Sequence, residues 1–225
     1  MKRSALSGLR AGLPWLFMAL VCGSAPPALA QAETNPNLNA QLLVAAREGQ
    51  LDRLRHLLVE GAVVNSRNRL GKTPLLIACE KGNDEMAAAL MSAGADIHMA
   101  SIERVTPLMA ASYNGNAALV KRLLAAGART DPVDRMNKPA AVYAAGQGKA
   151  AALEALLDSG IDVNATYEHR LTLLMWAAGQ GHAEAVRTLL SHGAKPDLRD
   201  DRGLTAIEIA TQAGQNVQAE FAGVK

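Results

Sequence analysis

The stretch of this 225-residue chain that comes nearest to a chemical motif is Ser66-Arg67-Asn68-Arg69-Leu70-Gly71-Lys72-Thr73. It matches the phosphate-cradling pattern G-x-x-x-x-G-K-[ST] at every position but the obligatory first glycine. The same Gly-x-Thr returns at Gly203 to Thr205, where no nucleotide is implied, so periodicity explains it better than phosphate binding. Cys79 is the second candidate, as a nucleophile or redox thiol, but no base partner is evident for it. The histidines His56, His98, His169, His182 and His192 include no H-E-x-x-H and no Cys/His pair at zinc spacing. Carboxylates are scattered along the chain without a recognisable acid/base pair. The expected cofactors, metals and catalytic residues are therefore none.

Composition points to a globular chain whose core is built from small residues: 49% is apolar and 20% charged, while aromatics supply only 3%. Small and aliphatic side chains favour helices that approach closely. The first thirty residues read as a targeting segment. Lys2, Arg3 and Arg10 form a positive start, Leu13 to Cys22 an apolar run, and Ala28-Leu29-Ala30 a small-residue cleavage site. The apolar run is about half of the roughly 20 residues that a spanning helix needs, which predicts export with cleavage after Ala30 and no membrane insertion afterwards. Val21 before Cys22 disfavours a lipoprotein signal. Removing the three leader cations from 23 basic residues leaves 20 against 21 acidic ones, a net charge near −1. A chain so balanced has no cationic excess for nucleic acid. With only Cys79 retained, it also forms no internal disulfide.

The elements that must carry any binding surface follow from a period of 33 residues. Glycines recur at Gly49, Gly82, Gly115, Gly148, Gly181 and Gly214, and a second series at Gly61, Gly94, Gly127, Gly160 and Gly193 keeps the same interval. Leucine pairs precede the second series at Leu57-Leu58, Leu123-Leu124, Leu156-Leu157 and Leu189-Leu190, with Leu90-Met91 in the remaining copy. Each unit reads as two short helices and a turn. Thr73 can cap the first helix, Pro74 suits its first position and Gly82 its end. The second, Asn83 to Ala93, carries Met86, Ala87, Leu90 and Met91 on one face. No unit can bury its apolar face alone, so neighbours must stack.

These residues resemble ankyrin repeats. The family's T-P-L-H-x-A-A-x-x-G-H pattern is similar to Thr73-Pro74-Leu75 through Gly82 and Thr106-Pro107-Leu108 through Gly115, and more loosely to Thr172 through His182. The resemblance spans residues 39–225, divided at about 39–70, 71–103, 104–136, 137–169, 170–202 and 203–225, behind a disordered linker at 31–38. It implies an all-α solenoid of about six helix-turn-helix units including caps, with hairpin-like loops on one side of a concave protein-binding surface. It also implies a buried, inert Cys79, standing where the pattern has an inward alanine, and a structural, hydrogen-bonding His182.

The departures mark the ends and one weak point. Ala40-Gln41 replaces Thr-Pro in the first unit, and the last continues from Thr205-Ala206 into a helix rich in Gln215, Asn216, Gln218 and Glu220, as capping repeats would. In the fourth unit Pro139 and Ala140 displace the Thr-Pro cap, and Asn137 is the available substitute.

Five aromatics follow the leader: Tyr113, Tyr143, Tyr167, Trp176 and Phe221. Aligning the units places Tyr143 and Trp176 in the column Val44, Ile77, Ala110, Tyr143, Trp176 and Ile209, which the resemblance assigns to the groove. Tyr113 falls near the end of its first helix and Tyr167 in the projecting loop. The expected partner-binding residues are Tyr113, Tyr143, Tyr167, Trp176, Ile77 and Met175, as against aromatics that merely fill gaps between repeats. Arg67, Arg69 and Lys72 make one loop basic, which fits a solvated tip or an acidic patch on a partner. The expectation is a monomeric, non-catalytic module in the periplasm that binds another protein. A secreted effector bound to a host protein and a thiol-dependent envelope enzyme are the alternatives.

Overall fold

The computed structural model describes residues 36–222. The leader, its cleavage site and residues 31–35 lie outside them. Eleven α-helices, and no strand, occur among the described residues. They are α1 (Pro36–Glu48), α2 (Leu51–Val59), α3 (Pro74–Lys81), α4 (Asp84–Ser92), α5 (Pro107–Asn114), α6 (Ala117–Ala125), α7 (Ala140–Gly146), α8 (Ala150–Asp158), α9 (Leu173–Gly179), α10 (Ala183–Ser191) and α11 (Ala206–Gln212). The odd-numbered helices form one row and α2 to α10 the other, each helix packing on its neighbours in the row and on its own partner. Leu, Ala, Val and Met fill the continuous core between the rows.

Local chemistry sets the start of each first helix. The hydroxyls of Thr73, Thr106, Thr172 and Thr205 accept the amides of Leu76, Met109, Met175 and Glu208 at 3.2–3.4 Å. In the last unit the Glu208 carboxylate returns the bond to the Thr205 amide at 2.7 Å. Met109 and Met175 do the same with sulfur, their thioethers lying 3.4 Å from the amides of Thr106 and Thr172.

Neighbouring units are also tied together by polar groups. The Asn116 amide donates to the Gly82 carbonyl at 2.9 Å, and His182 Nε2 donates to the Gly146 carbonyl at 3.1 Å. These bonds satisfy carbonyls at the ends of α3 and α7, where no further helical turn can reach them. At Gly148, with φ of 64°, a Cβ would lie 2.6 Å from the His182 ring, so glycine is needed for both conformation and close approach.

Three expectations need correction. Pro36 to Leu38, placed in the linker, belong to α1, because Leu38 packs against the core. Among the described residues the last unit has no second α-helix; a 3-10 turn, Gln218–Phe221, packs on α10 instead. Only Val217 of that polar stretch is buried, too little to form a helical stripe. Asn137 does not cap α7, which begins at Ala140 without any side-chain cap. It occupies a left-handed loop position with φ of 54°, in the column of Gly71, Arg104, Arg170 and Gly203, all at positive φ.

Candidate protein-binding face

The first-helix row and its loops carry the candidate site. Ala110 is the smallest residue of its column and leaves room between α3, α5 and α7, where a cleft of about 330 Å³ opens. Tyr113 and Tyr143 wall it, Met109 and Val105 line it, and Glu80 stands at its edge. The two tyrosine rings meet edge to face, 5.9 Å between centroids at 77°. Tyr113 is 52% exposed. Tyr143 is half-buried and donates its hydroxyl to Asp134. Burial, followed by that carboxylate, holds the Tyr143 hydroxyl well above its ordinary pKa, so it stays a donor.

Asp134, 4% exposed, explains how α7 manages without a threonine cap. One of its oxygens accepts the amides of Met136 and Lys138, both at 2.8 Å, and the other accepts Tyr143. Asn68 and Asp200 close their loops similarly, one unit or more away. At the equivalent position one unit further on stands Tyr167, which packs partly against the core and lines a cleft with Pro139, Ala141 and Ile161. Burial raises its hydroxyl pKa, with the Asp162 charge adding to the effect.

Trp176 is half-buried, with the Lys138 ammonium 4.8 Å from its ring centroid. Its indole nitrogen is buried and has no hydrogen-bond partner. Met175 is a correction: at 2% exposure it is a core residue, while Ile77, 6% exposed, keeps a small face on a cleft beside α1. Met175 turns back toward the Thr172 cap.

The sequence reading missed Leu70, Ile102 and Met136, which stand at successive loop tips with 59%, 52% and 60% exposure. An apolar residue between otherwise polar turn positions was the available signal. Adjacent tips are linked by backbone bonds, Ile102 amide to Leu70 carbonyl at 3.0 Å and Arg135 amide to Glu103 carbonyl at 3.2 Å.

Neither chemical candidate has an active geometry. Around Gly71, the Gly71 amide donates to the Asn68 carbonyl at 2.9 Å, and the Leu70 and Lys72 amides donate to its side chain. Lys72 pairs with Glu80 at 2.7 Å. Groups that would cradle a phosphate are thus engaged within the chain. Cys79 is 0% exposed, and burial pushes its thiol far above the ordinary range, away from the reactive thiolate. No described helix is long and apolar enough to cross a membrane.

Comparison with known proteins agrees with this architecture. The family described as ankyrin repeats (3 copies) matches residues 15–101, 42–135, 90–167 and 142–219. Among solved structures, the chain is similar to the crystal structure of EF0377, an ankyrin repeat protein, with 26% identity and a TM-score of 0.73. The match covers 83% of this chain and 98% of that one. No curated protein matches it significantly.

Proposed function

Because this chain belongs to the ankyrin-repeat family, whose members serve as protein-interaction modules, we propose that it is an exported, non-catalytic binder of a partner protein. It works as a monomer in the periplasm and holds the partner against the first-helix face. Tyr113, Tyr143 and Trp176 form the centre of contact, with Tyr167 and the apolar loop tips beside them. Nucleic acid is not its ligand.

The observation that carries this reading is the half-exposed Tyr113, set edge-on against a Tyr143 that is itself anchored to Asp134. A large ring held at low entropic cost beside an open cleft is the kind of anchor on which interfaces depend. The leader composition supports export, and the deep burial of Cys79 supports a role without thiol chemistry.

Crosslinking in intact cells followed by mass spectrometry tests the reading. A specific partner should be recovered from the periplasmic fraction and lost with Tyr113→Ala. N-terminal sequencing should find Gln31 first. A product retaining Trp15, or one found only in the medium, would remove the periplasmic assignment, and a partner indifferent to Tyr113 would remove the interface.

A further inference from the structure

A second cleft, of about 580 Å³, lies between α1, α3 and the loop that follows α2. Its lining combines the aliphatic Leu43, Val44 and Ile77 with Arg47, on the same helix as the first two, and with Arg67 and Arg69 of the loop. Of the ten other arginines among the described residues, seven lie against a carboxylate, Arg55, Arg122, Arg129, Arg135, Arg187, Arg199 and Arg202, and Arg53, Arg104 and Arg170 do not. None of the three at this cleft does. Arg67 donates to the Ala100 carbonyl at 2.8 Å, which braces it across the next loop, while Arg47 and Arg69 have no ion-pair partner among the described residues. The Ser66 hydroxyl, at the cleft wall, is buried without a hydrogen-bond partner.

Three arginines lining one cleft together with aliphatic side chains are complementary to a ligand with clustered carboxylates and a branched apolar side chain. A compact inorganic anion would use the cations and leave the apolar wall wet. A lipid surface would meet a recessed cleft rather than a flat basic patch. We propose that this cleft docks an acidic, leucine-bearing peptide segment of the partner protein. Its carboxylates pair with Arg47, Arg67 and Arg69, its aliphatic side chain lies on Leu43, Val44 and Ile77, and Ser66 donates to one of its oxygens. Guanidinium forks suit carboxylates in this way, and such pairs determine specificity and encounter rate as much as affinity. The inference rests on the protein-binding reading above and gives that binding a second, chemically distinct contact.

The test uses fluorescence anisotropy with the full chain and a labelled peptide, Gly-Glu-Glu-Leu-Glu-Glu-Leu-Gly, with Gly-Lys-Lys-Leu-Lys-Lys-Leu-Gly as the reversed control. The acidic peptide should bind, the basic one should not, and affinity should fall as chloride is raised. Arg47→Gln with Arg69→Gln should weaken binding by on the order of tenfold or more, with folding unchanged because both side chains are exposed. Tyr113→Ala should leave the peptide's affinity unaltered. Absence of binding, equal binding of the basic peptide, or indifference to the arginine substitutions would overturn the proposal. Displacement by sodium phosphate beyond that of chloride at equal ionic strength would also overturn it, by identifying a small-anion site. If the peptide fails while a crosslinked partner still depends on Tyr113, the cleft inference falls and the binding reading stands. If the peptide binds and no partner depends on Tyr113, the aromatic interface falls alone.

Discussion

Tyr143 donates its hydroxyl to Asp134, nine residues earlier, and so closes the loop whose unit lacks the threonine cap found in its neighbours. One aromatic residue thereby holds its loop with its polar end and walls the candidate binding cleft with its ring. Tyr143→Phe removes only the first role. It should cost about 1–2 kcal/mol, the usual result of leaving a buried acceptor short of a partner. Partner binding should change less than with Tyr143→Ala. Urea unfolding beside a binding assay checks it; equal losses of affinity for both variants would show that the ring is not the contact.

The unit at 137–169 should open before its neighbours. In hydrogen exchange, α7 amides should be less protected than those of α5, whose start is capped by Thr106. Restoring the cap with Pro139→Thr and Ala140→Pro should stabilise the array by about 1 kcal/mol. Equal protection of both helices would mean that Asp134 fully replaces the cap.

Tyr113 is the cleaner probe of binding and Trp176 the compound one. Tyr113→Ala should cost stability no more than about 1 kcal/mol, the worth of its edge-to-face contact with Tyr143, and weaken the partner complex by on the order of 2 kcal/mol. Trp176→Ala should lower both, since its ring is half-buried beneath Lys138. Leu123→Ala, on a fully buried residue of α6, should cost about 2–5 kcal/mol and affect binding only through unfolding.

Relief of left-handed backbone should stabilise the loops. Arg104 and Arg170 hold φ near 60° where the first and last equivalents are glycine. Arg104→Gly and Arg170→Gly should each raise stability by about 0.5–1 kcal/mol, the avoided strain exceeding the added freedom of the unfolded chain. A loss of stability in thermal melts would show that side-chain contacts hold these loops.

The Asp84–Arg122 pair links stability to pH. Two bonds of 2.9 Å join α4 to α6, and the hydrogen bond from Arg122 holds the Asp84 carboxyl below its ordinary 3.8. A carboxyl depressed in the folded state stabilises fully above its unfolded pKa and loses that contribution as pH falls through the folded one. Urea midpoints taken downward from about pH 5 should therefore fall more for the natural chain than for Arg122→Ala. NMR titration should place Asp84 higher in that variant. Parallel pH profiles would contradict the linkage.

The 33-residue register was legible because the second, third and fifth units repeat the same local solution: a threonine-capped first helix, a left-handed glycine such as Gly82, and a leucine-bearing second helix. Burial within a column was not legible. Ile77, Tyr143 and Trp176 share one position, yet their exposure depends on the width of the adjacent repeat and on Lys138 reaching over from another loop. Met175 was misplaced because a thioether closing a threonine cap has no simple sequence pattern. The Asp134–Tyr143 bond joins the loop that ends one unit to the first helix of the next; the column Asn68, Asp134 and Asp200 marks the loop, but nothing periodic marks the tyrosine that reaches it.

Cys79 makes the array its own reporter. The sulfur sits at 0% exposure on α3, inside the stack, one helix from its N-terminal end and four from α11. Reagents that alkylate thiols can reach it only while that part of the array is open, so in the slow-reagent limit the labelling rate measures how often the interior comes apart. Fraying confined to α11 would leave the rate unchanged, whereas any opening that propagates to α3 would accelerate it. One native side chain thus separates fraying at the C-terminal end from openings that reach the N-terminal units, without an added label.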